Sequence, residues 1–191
     1  MPEIRIAPAS ADRFEDAEHA LTGGGDGATC WCQWWMMRAK DFSAASHDER
    51  RERLRSDLTA ETPSALIAYV DDQPAAWVKV SSRPDQPRLA LTRNLQQSPE
   101  PFDDASVWAI TCFVVRREHR RQGLSQQLLE AAIEHARRNG ARVIEGYPVD
   151  TAGVKTSSND LFHGTLSSFL DAGFVEVARP AASRPIVSLS L

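Results

Sequence analysis

The sequence predicts a mixed α/β fold, built as one domain over residues 1–191. Segments with helical periodicity interrupt segments with strand-like alternation along the whole chain, in the order β-α-α-β-β-β-α-β-α-β-β. The apolar run from Val107 to Val115 is long enough for a buried central strand. With 42% hydrophobic and 25% charged residues, a chain of this length can form one sizeable core.

The first half of the chain predicts three strands and two helices. Ile4 and Ile6 alternate with polar residues, as in a strand, and Ser10 is a typical cap for the helix that follows. Ser46 precedes a second, highly charged helix. The sequence Asp71-Asp72-Gln73-Pro74 between two apolar runs indicates a hairpin. The predicted elements are a strand at 4–6, helices at 10–21 and 48–58, and strands at 65–70 and 75–80, with a mobile glycine loop at 23–27.

The second half predicts two helices among four strands. A proline-containing stretch over 81–106, with one short helix near 89–94, leads to the central strand. After it, apolar residues recur on one helical face from Leu124 to Ala136, and Gly140 is placed to end that helix. The remaining predicted elements are a strand at 142–147, a polar loop at 150–158, a single helix at 160–172, and strands at 174–177 and 186–191.

Charge and cysteine content exclude several classes of protein. The formal net charge is -4, whereas nucleic-acid-binding domains usually carry a basic surface, so we expect no nucleic-acid partner. The chain shows neither a leader pattern at its start nor an apolar run long enough for a bilayer, so we expect a cytoplasmic protein without a membrane partner. Three cysteines do not form a disulfide framework, and reduced thiols are expected.

The segment Arg120–Ser125 has the features of an anion-binding junction. It follows the central strand and opens a helix, whose N-terminus carries partial positive charge. Gly123 lets backbone N–H groups approach a ligand closely, and the neighbouring arginines add donors. The alternative is a solvated basic loop, but the combined pattern favours a bound phosphate.

The same residues resemble the signature of the GNAT acetyltransferases, V-x-x-x-x-[RQ]-x-x-G-x-[GA]. The motif runs here from Val115 to Ser125, and serine replaces the usual final Gly or Ala. The segment Phe169–Phe174 resembles that family's Y-x-x-x-G-F helix end, with Phe in place of Tyr. The order of elements from Ile4 to Leu191 also matches the family's fold.

The resemblance implies a mostly antiparallel central sheet that is splayed at the middle and has helices on both faces. It implies acetyl-CoA as co-substrate and direct acetyl transfer to a primary amine of a small molecule, with a protein amine as the second choice. The pantetheine arm would pair with the central strand, and the pyrophosphate would bind the arginine–glycine loop. The implied acetyl-CoA contacts are Phe113, Val114, Val115, Arg120, Arg121, Gln122, Gly123, Leu124 and Ser125.

The usual acid–base residues of the family are missing. Many relatives have a carboxylate on the strand before the motif, but residues 107–115 contain none, and Phe169 replaces the Tyr that often protonates the departing thiolate. We therefore expect Glu145 and Tyr147, on the next strand, to be the catalytic residues, since a carboxyl buried among aromatic rings has a raised pKa suited to a base. The alternative is structural: Glu145 pairs with an arginine and Tyr147 packs in the core.

The aromatic segment Cys30–Met37 is the most unusual stretch of the chain. It either packs as a buried wedge or forms a wall of the acceptor site, where aromatic faces would favour an apolar or cationic acceptor. The predicted acceptor contacts are Trp31, Trp34 and Thr111. A C-x-C pair with scattered histidines is a weak metal site, so no metal is expected.

Two other functions remain open at this point. The missing acid–base residues would also suit a catalytically weak acyl-CoA-binding regulatory module. Cys30 and Cys32 could instead form a thiol or metal sensor. The resemblance further suggests a homodimer, paired through the strands after Phe174.

Overall fold

The computed structural model describes residues 2–152, 156 and 160–191. Its seven strands are β1 (Ile4–Pro8), β2 (Ala65–Val70), β3 (Gln73–Ser82), β4 (Val107–Val115), β5 (Val143–Gly146), β6 (Val175–Ala181) and β7 (Arg184–Ser190). Its seven α-helices are α1 (Phe14–Thr22), α2 (Gly27–Cys30), α3 (Ala39–Ala44), α4 (His47–Asp57), α5 (Arg88–Leu91), α6 (Leu124–Arg138) and α7 (Leu166–Asp171).

The strands form one sheet in the order β1-β2-β3-β4-β5-β7-β6. Every neighbouring pair is antiparallel except β4 and β5, which run parallel. Helix α6 connects these two strands, as a parallel crossover requires. The mixed α/β fold with a mostly antiparallel sheet is therefore confirmed.

The sheet opens between β4 and β5. Their pairing ends at Ile110 and Gly146, whereas β4 continues to Val115 along β3. A bulge in β4 accompanies the opening, because Lys79 pairs with Cys112 and Val80 with Ile110, which leaves one extra residue between them. The N–H and C=O groups of residues 111–115 that face away from β3 thus form an open strand edge.

A wedge of aromatic side chains supports the opening. The Phe169 ring of α7 is fully buried, and it lies so close to Gly146 that a side chain there would overlap it. Phe169 also contacts the rings of Phe113 and Phe174 edge to face. The position that resembled the family's tyrosine is therefore filled by a core residue.

Both faces of the sheet are covered by helices. Helix α6 buries one apolar stripe against the sheet, as its periodicity predicts; the buried residues are Leu124, Leu128, Leu129, Ala132, Ile133 and Ala136. Helices α1 and α4 cover the opposite face, where Phe14 and Leu54 lie in a second cluster with the Trp77 ring. Helix α4 begins with the predicted Ser46 cap, which forms a capping box with Glu49.

One predicted element was wrong, and helix α2, like α3, was not predicted. The single helix predicted over 160–172 is a short 3-10 helix at Asp160–His163 followed by α7, and Gly164 separates them with φ 79°. That left-handed conformation suits glycine and cannot continue a helix. The predicted polar loop at 150–158 lies partly outside the described residues. No helix in the described part of the chain is long and apolar enough to cross a membrane.

Candidate active site

The opening between β4 and β5 leads into a cavity of about 810 Å³. One side is formed by the exposed edge of β4 and the start of α6, through Phe113, Val114, Val115, Arg120 and Ser125. The glycine turn at 24–27 borders it. The cavity is also lined by a set of residues that we call the aromatic wall: Trp34, Trp35, Phe42, Arg50, Arg88, Thr92, Leu161, Phe162, His163 and Arg184. All three cysteines line the cavity as well. The cavity thus joins a strand edge and a helix N-terminus to an aromatic wall.

The loop before α6 presents backbone donors. Arg121 and Gly123 adopt left-handed conformations with φ 61° and 77°, which turns successive N–H groups toward one side. Among the described residues, no backbone N–H of residues 121–125 donates to a protein acceptor. Together with the positive end of the 15-residue helix α6, these unpaired donors have the geometry and the partial charge that suit an anion. Arg121, Gln122, Gly123 and Leu124 belong to this loop and do not line the cavity.

The neighbouring arginines hold this loop against the glycine turn. Arg116 donates to the carbonyl of His19 and pairs with Glu118, and its side chain fills the space where a Gly23 side chain would lie. The Arg120 guanidinium contacts Gly24 and donates to the carbonyl of Val115 at 3.3 Å. The glycine turn is thus packed on the arginines.

The aromatic wall is held together by ring contacts and by arginines. Trp34 packs edge-on against Phe42 at 5.1 Å, and the Arg88 guanidinium lies 3.4 Å from the centroid of the Trp34 ring. The Arg50 guanidinium stacks on Phe42 and donates to two backbone carbonyls. Trp34 is 38% exposed, which is high for tryptophan, so its ring offers surface to a ligand.

His163 lies at the back of the cavity between rings. It contacts Trp35 at 5.8 Å and Phe162 at 3.8 Å, and its Nδ1 has no partner among the described residues. Burial and the nearby Arg184 charge lower the pKa of His163 to about 3, so the imidazole is neutral at pH 7. A neutral imidazole can accept one hydrogen bond and donate another.

Glu145 and Tyr147 lie away from the cavity, inside the C-terminal half of the sheet. Glu145 is fully buried and forms an ion pair with Arg83, whose Nη1 lies 3.1 Å from Oε2. Ser98 and Tyr147 donate to the same carboxylate at 2.6 and 3.0 Å. Burial raises the pKa of Glu145, while the Arg83 charge opposes that shift. This pairing is the structural alternative stated above, and a catalytic role for either residue stays a prediction.

Two of the three predicted acceptor contacts also lie outside the cavity lining. Trp31 is 2% exposed and packs against His47 and Arg51 under α4. Thr111 is the extra residue of the β4 bulge, and its hydroxyl donates to buried Gln86. Of the three, Trp34 is in place to contact a ligand.

The three cysteines are free thiols and line the cavity. Trp31 and Cys32 both have positive φ values, and this tight turn brings the Cys32 Sγ within 3.2 Å of the Trp77 Nε1 donor. Among the described residues, no group of three His, Cys, Asp or Glu side chains is positioned to hold a metal ion.

Sequence reasoning missed several residues of the aromatic wall. Arg88 lies in the proline-containing stretch and Arg184 in the last hairpin, almost 100 residues apart, so no spacing rule connects them. Phe42 lies on the unpredicted helix α3. The usable signal was the density of aromatic residues near Trp34, which does not show which residues meet.

Comparisons with known proteins agree with this architecture. The model of the acetyltransferase (GNAT) family matches residues 31–152. Solved structures similar in fold include a PaiA N-acetyltransferase from Thermoplasma acidophilum in complex with coenzyme A, with TM-score 0.56, 13% identity, and 99% of both chains covered. A GNAT acetyltransferase from Streptococcus pneumoniae gives TM-score 0.58 at 15% identity and covers 99% of both chains.

The GNAT domain of S. lividans PAT gives TM-score 0.57 at 16% identity, covering 98% of this chain and 90% of that one. No curated protein matches the sequence significantly. Since the family model covers more than half of the chain, the chain belongs to the acetyltransferase (GNAT) family.

Proposed function

We propose that the protein is an acetyl-CoA-dependent N-acetyltransferase that transfers the acetyl group directly to a primary amine of a small molecule. The observation that carries this proposal is one cavity lined by the open edge of β4, by Arg120 and Ser125 at the two ends of the loop with unpaired N–H groups, and by an aromatic wall. A structural relative was solved in complex with coenzyme A, which supports the choice of co-substrate.

The residues present fit acetyl-CoA at both of its polar parts. The amides of a pantetheine arm can pair with the open edge of residues 111–115, as an added strand would. The pyrophosphate suits the N–H groups of residues 121–125 and the Arg120 guanidinium. Ser125, in place of the family's Gly or Ala, adds a hydroxyl on the cavity side of this loop.

When bound, acetyl-CoA supplies a thioester whose carbonyl carbon bonds to the amine nitrogen as the C–S bond breaks, the amine losing one proton and the departing thiolate sulfur taking one. An N–H on the open edge near Val114 would stabilise charge on the carbonyl oxygen. The aromatic wall excludes water and disfavours a charged amine, and His163 offers a neutral imidazole to accept a hydrogen bond from it. No step requires Glu145 to reach the cavity.

The test is acetyl transfer across a panel of small amines, followed by mass spectrometry of the products. Calorimetry with acetyl-CoA measures donor binding separately. We expect donor binding, product formation with at least one amine, and no acetyl group on the protein after incubation with acetyl-CoA alone. An acetylated cysteine would replace direct transfer by a two-step mechanism. Donor binding without any product, from small amines or from peptides, would instead favour the regulatory module.

A further inference from the structure

The acceptor side of the cavity carries uncompensated positive charge. The lining of the whole cavity contains four arginines, at positions 50, 88 and 184 in the aromatic wall and at 120 near the start of α6, whereas Asp26, at the exposed glycine turn, is the only carboxylate in the described lining. Arg50 donates hydrogen bonds to the carbonyls of Thr29 and Ala45, and Arg120 lies in the loop before α6. Two cations, Arg88 and Arg184, therefore remain for a ligand.

Arg88 is a partly buried cation without a carboxylate partner among the described residues. Its guanidinium is stacked on Trp34, and its single side-chain hydrogen bond goes to the Trp34 carbonyl at 3.4 Å. Stacking fixes the plane of the guanidinium and leaves its edge free for bidentate hydrogen bonds. A buried charge is costly without a counter-ion, so a ligand anion would relieve that cost.

Arg184 is a second partly buried cation, and it lines the same cavity as His163. It begins β7; its backbone pairs with Ala181, and its side chain has no hydrogen bond or ion pair with the described residues. Its charge contributes to the lowered pKa of His163. Asp160 also lies near His163 and offsets part of this charge.

The two arginines line the same part of the aromatic wall, around Trp35 and His163. The backbone N–H of Arg88 donates to the Trp35 carbonyl at 3.2 Å, and the Trp35 ring contacts the His163 ring. Arg88 and Arg184 are thus linked through Trp35 and His163, and all four line the same cavity. One face of the Trp34 ring is already covered by Arg88, which leaves less of this ring for a cationic ligand.

We propose that the acceptor is an amine that also carries a carboxylate, and that Arg88 and Arg184 bind this carboxylate while the aromatic rings hold an apolar side chain. The substrate class is therefore apolar amino acids and similar amino carboxylates. This inference rests on the proposed N-acetyltransferase activity and names the acceptor of that same site. It replaces the cationic acceptor that the aromatic composition alone allowed.

The test compares matched acceptors that differ in the carboxylate. L-Phenylalanine, L-leucine and L-methionine are each measured against their amides and decarboxylated amines, and phosphoethanolamine is added as an amine with a phosphate. A hydrogen-bonded ion pair contributes about 10- to 100-fold. We expect kcat/KM for the amino acids to exceed that of the amides by this factor. A preference for phosphoethanolamine would overturn the carboxylate assignment.

Variants assign the effect to the two arginines. Arg88→Gln and Arg184→Gln should each raise KM for the amino acid about 10-fold and leave KM for its amide and for acetyl-CoA unchanged. Arg138→Gln is the matched control, because this arginine lies on the exposed face of α6 and pairs with Glu134. If amides and plain amines react as well as amino acids, the carboxylate proposal fails while the acetyltransferase stands.

Binding provides a readout without turnover. Calorimetry with the coenzyme A complex should detect L-phenylalanine and not its amide, and Arg88→Gln should abolish the difference. If no amine is acetylated but this selective binding persists, the proposed activity fails and the carboxylate site stands. If neither compound binds and neither is acetylated, both proposals fail.

Discussion

The ion pair between Arg83 and Glu145 is buried. Both side chains have no solvent exposure, and Ser98 bonds to both of them. Arg83 also lies over the Phe102 ring and donates to the Glu100 carbonyl. Removing one partner of such a pair leaves an unpaired charge in the interior, which costs more than the pair itself contributes.

We therefore predict that Glu145→Gln lowers the free energy of unfolding by about 3 kcal/mol. Denaturant unfolding measures this change, and Glu134→Gln is the control, because its exposed pairs with Arg137 and Arg138 contribute less than about 1 kcal/mol. Because Glu145 does not line the cavity, turnover per folded molecule should stay within about twofold, a change of about 0.4 kcal/mol. A large loss of turnover at unchanged stability would instead make Glu145 a catalytic base.

His163 predicts a specific dependence of stability on pH. Its pKa in the folded protein is about 3, below the ordinary value of 6.5, so between these values the unfolded chain binds a proton that the folded chain excludes. Stability from this residue is therefore present above pH 6.5 and lost as the pH falls toward 3. Between pH 6.5 and 3, the free energy of unfolding of His163→Asn should fall less steeply with decreasing pH than that of the parent. His19→Asn, on the exposed side of α1, should show the same pH dependence as the parent. Equal slopes for His163→Asn and the parent would contradict the burial of a neutral imidazole.

At the scale of elements, the two ends of α6 offer an internal comparison. Gly123 precedes the helix with φ 77°, and Gly140 follows it with φ 80°. A side chain at either position would meet no atom within 4 Å, so only the backbone conformation disfavours other residues there. The two glycines share one kind of strain and differ in what surrounds them.

Gly123→Ala and Gly140→Ala should each destabilise the protein by about 1 to 2 kcal/mol, because left-handed alanine is strained. Only Gly123→Ala should also weaken acetyl-CoA binding, since relaxing the loop turns its N–H groups away from the pyrophosphate. Thermal unfolding and calorimetry provide the two measurements. Equal donor affinities for the two variants would show that the loop geometry is not used for phosphate binding.

The elements also show where sequence reasoning succeeds and where it stops. Strand β4 and helix α6 were predicted at their observed positions, because an apolar run and a 3.6-residue period are local signals. The loop before α6 was predicted to bind a phosphate because its glycine, the helix start and the arginines are adjacent in sequence. The partner of Glu145 is 62 residues away, and Arg88 and Arg184 line one cavity only in the folded chain. Such contacts depend on strand order and on the opening of the sheet, which no local pattern records.

At the scale of the whole molecule, the opened sheet leaves β4 incompletely paired in its second half. Residues 108–110 pair with both β3 and β5, whereas residues 112–115 pair with β3 alone. An unpaired strand edge is a template for an added strand, and the cavity runs along this one. Binding of the co-substrate would therefore complete the sheet between its two halves.

Hydrogen exchange tests this completion directly. At labelling times too short for global unfolding, acetyl-CoA should slow exchange of the amides in residues 111–115 that face away from β3, and those of residues 121–125. Residues 107–110 are the control within the same strand and should not change. At 100 times its dissociation constant, the ligand should also raise the free energy of unfolding by about 2.7 kcal/mol, because it binds only the folded chain. Protection of the loop without protection of the strand edge would mean that the pyrophosphate binds as proposed while the pantetheine arm takes another path.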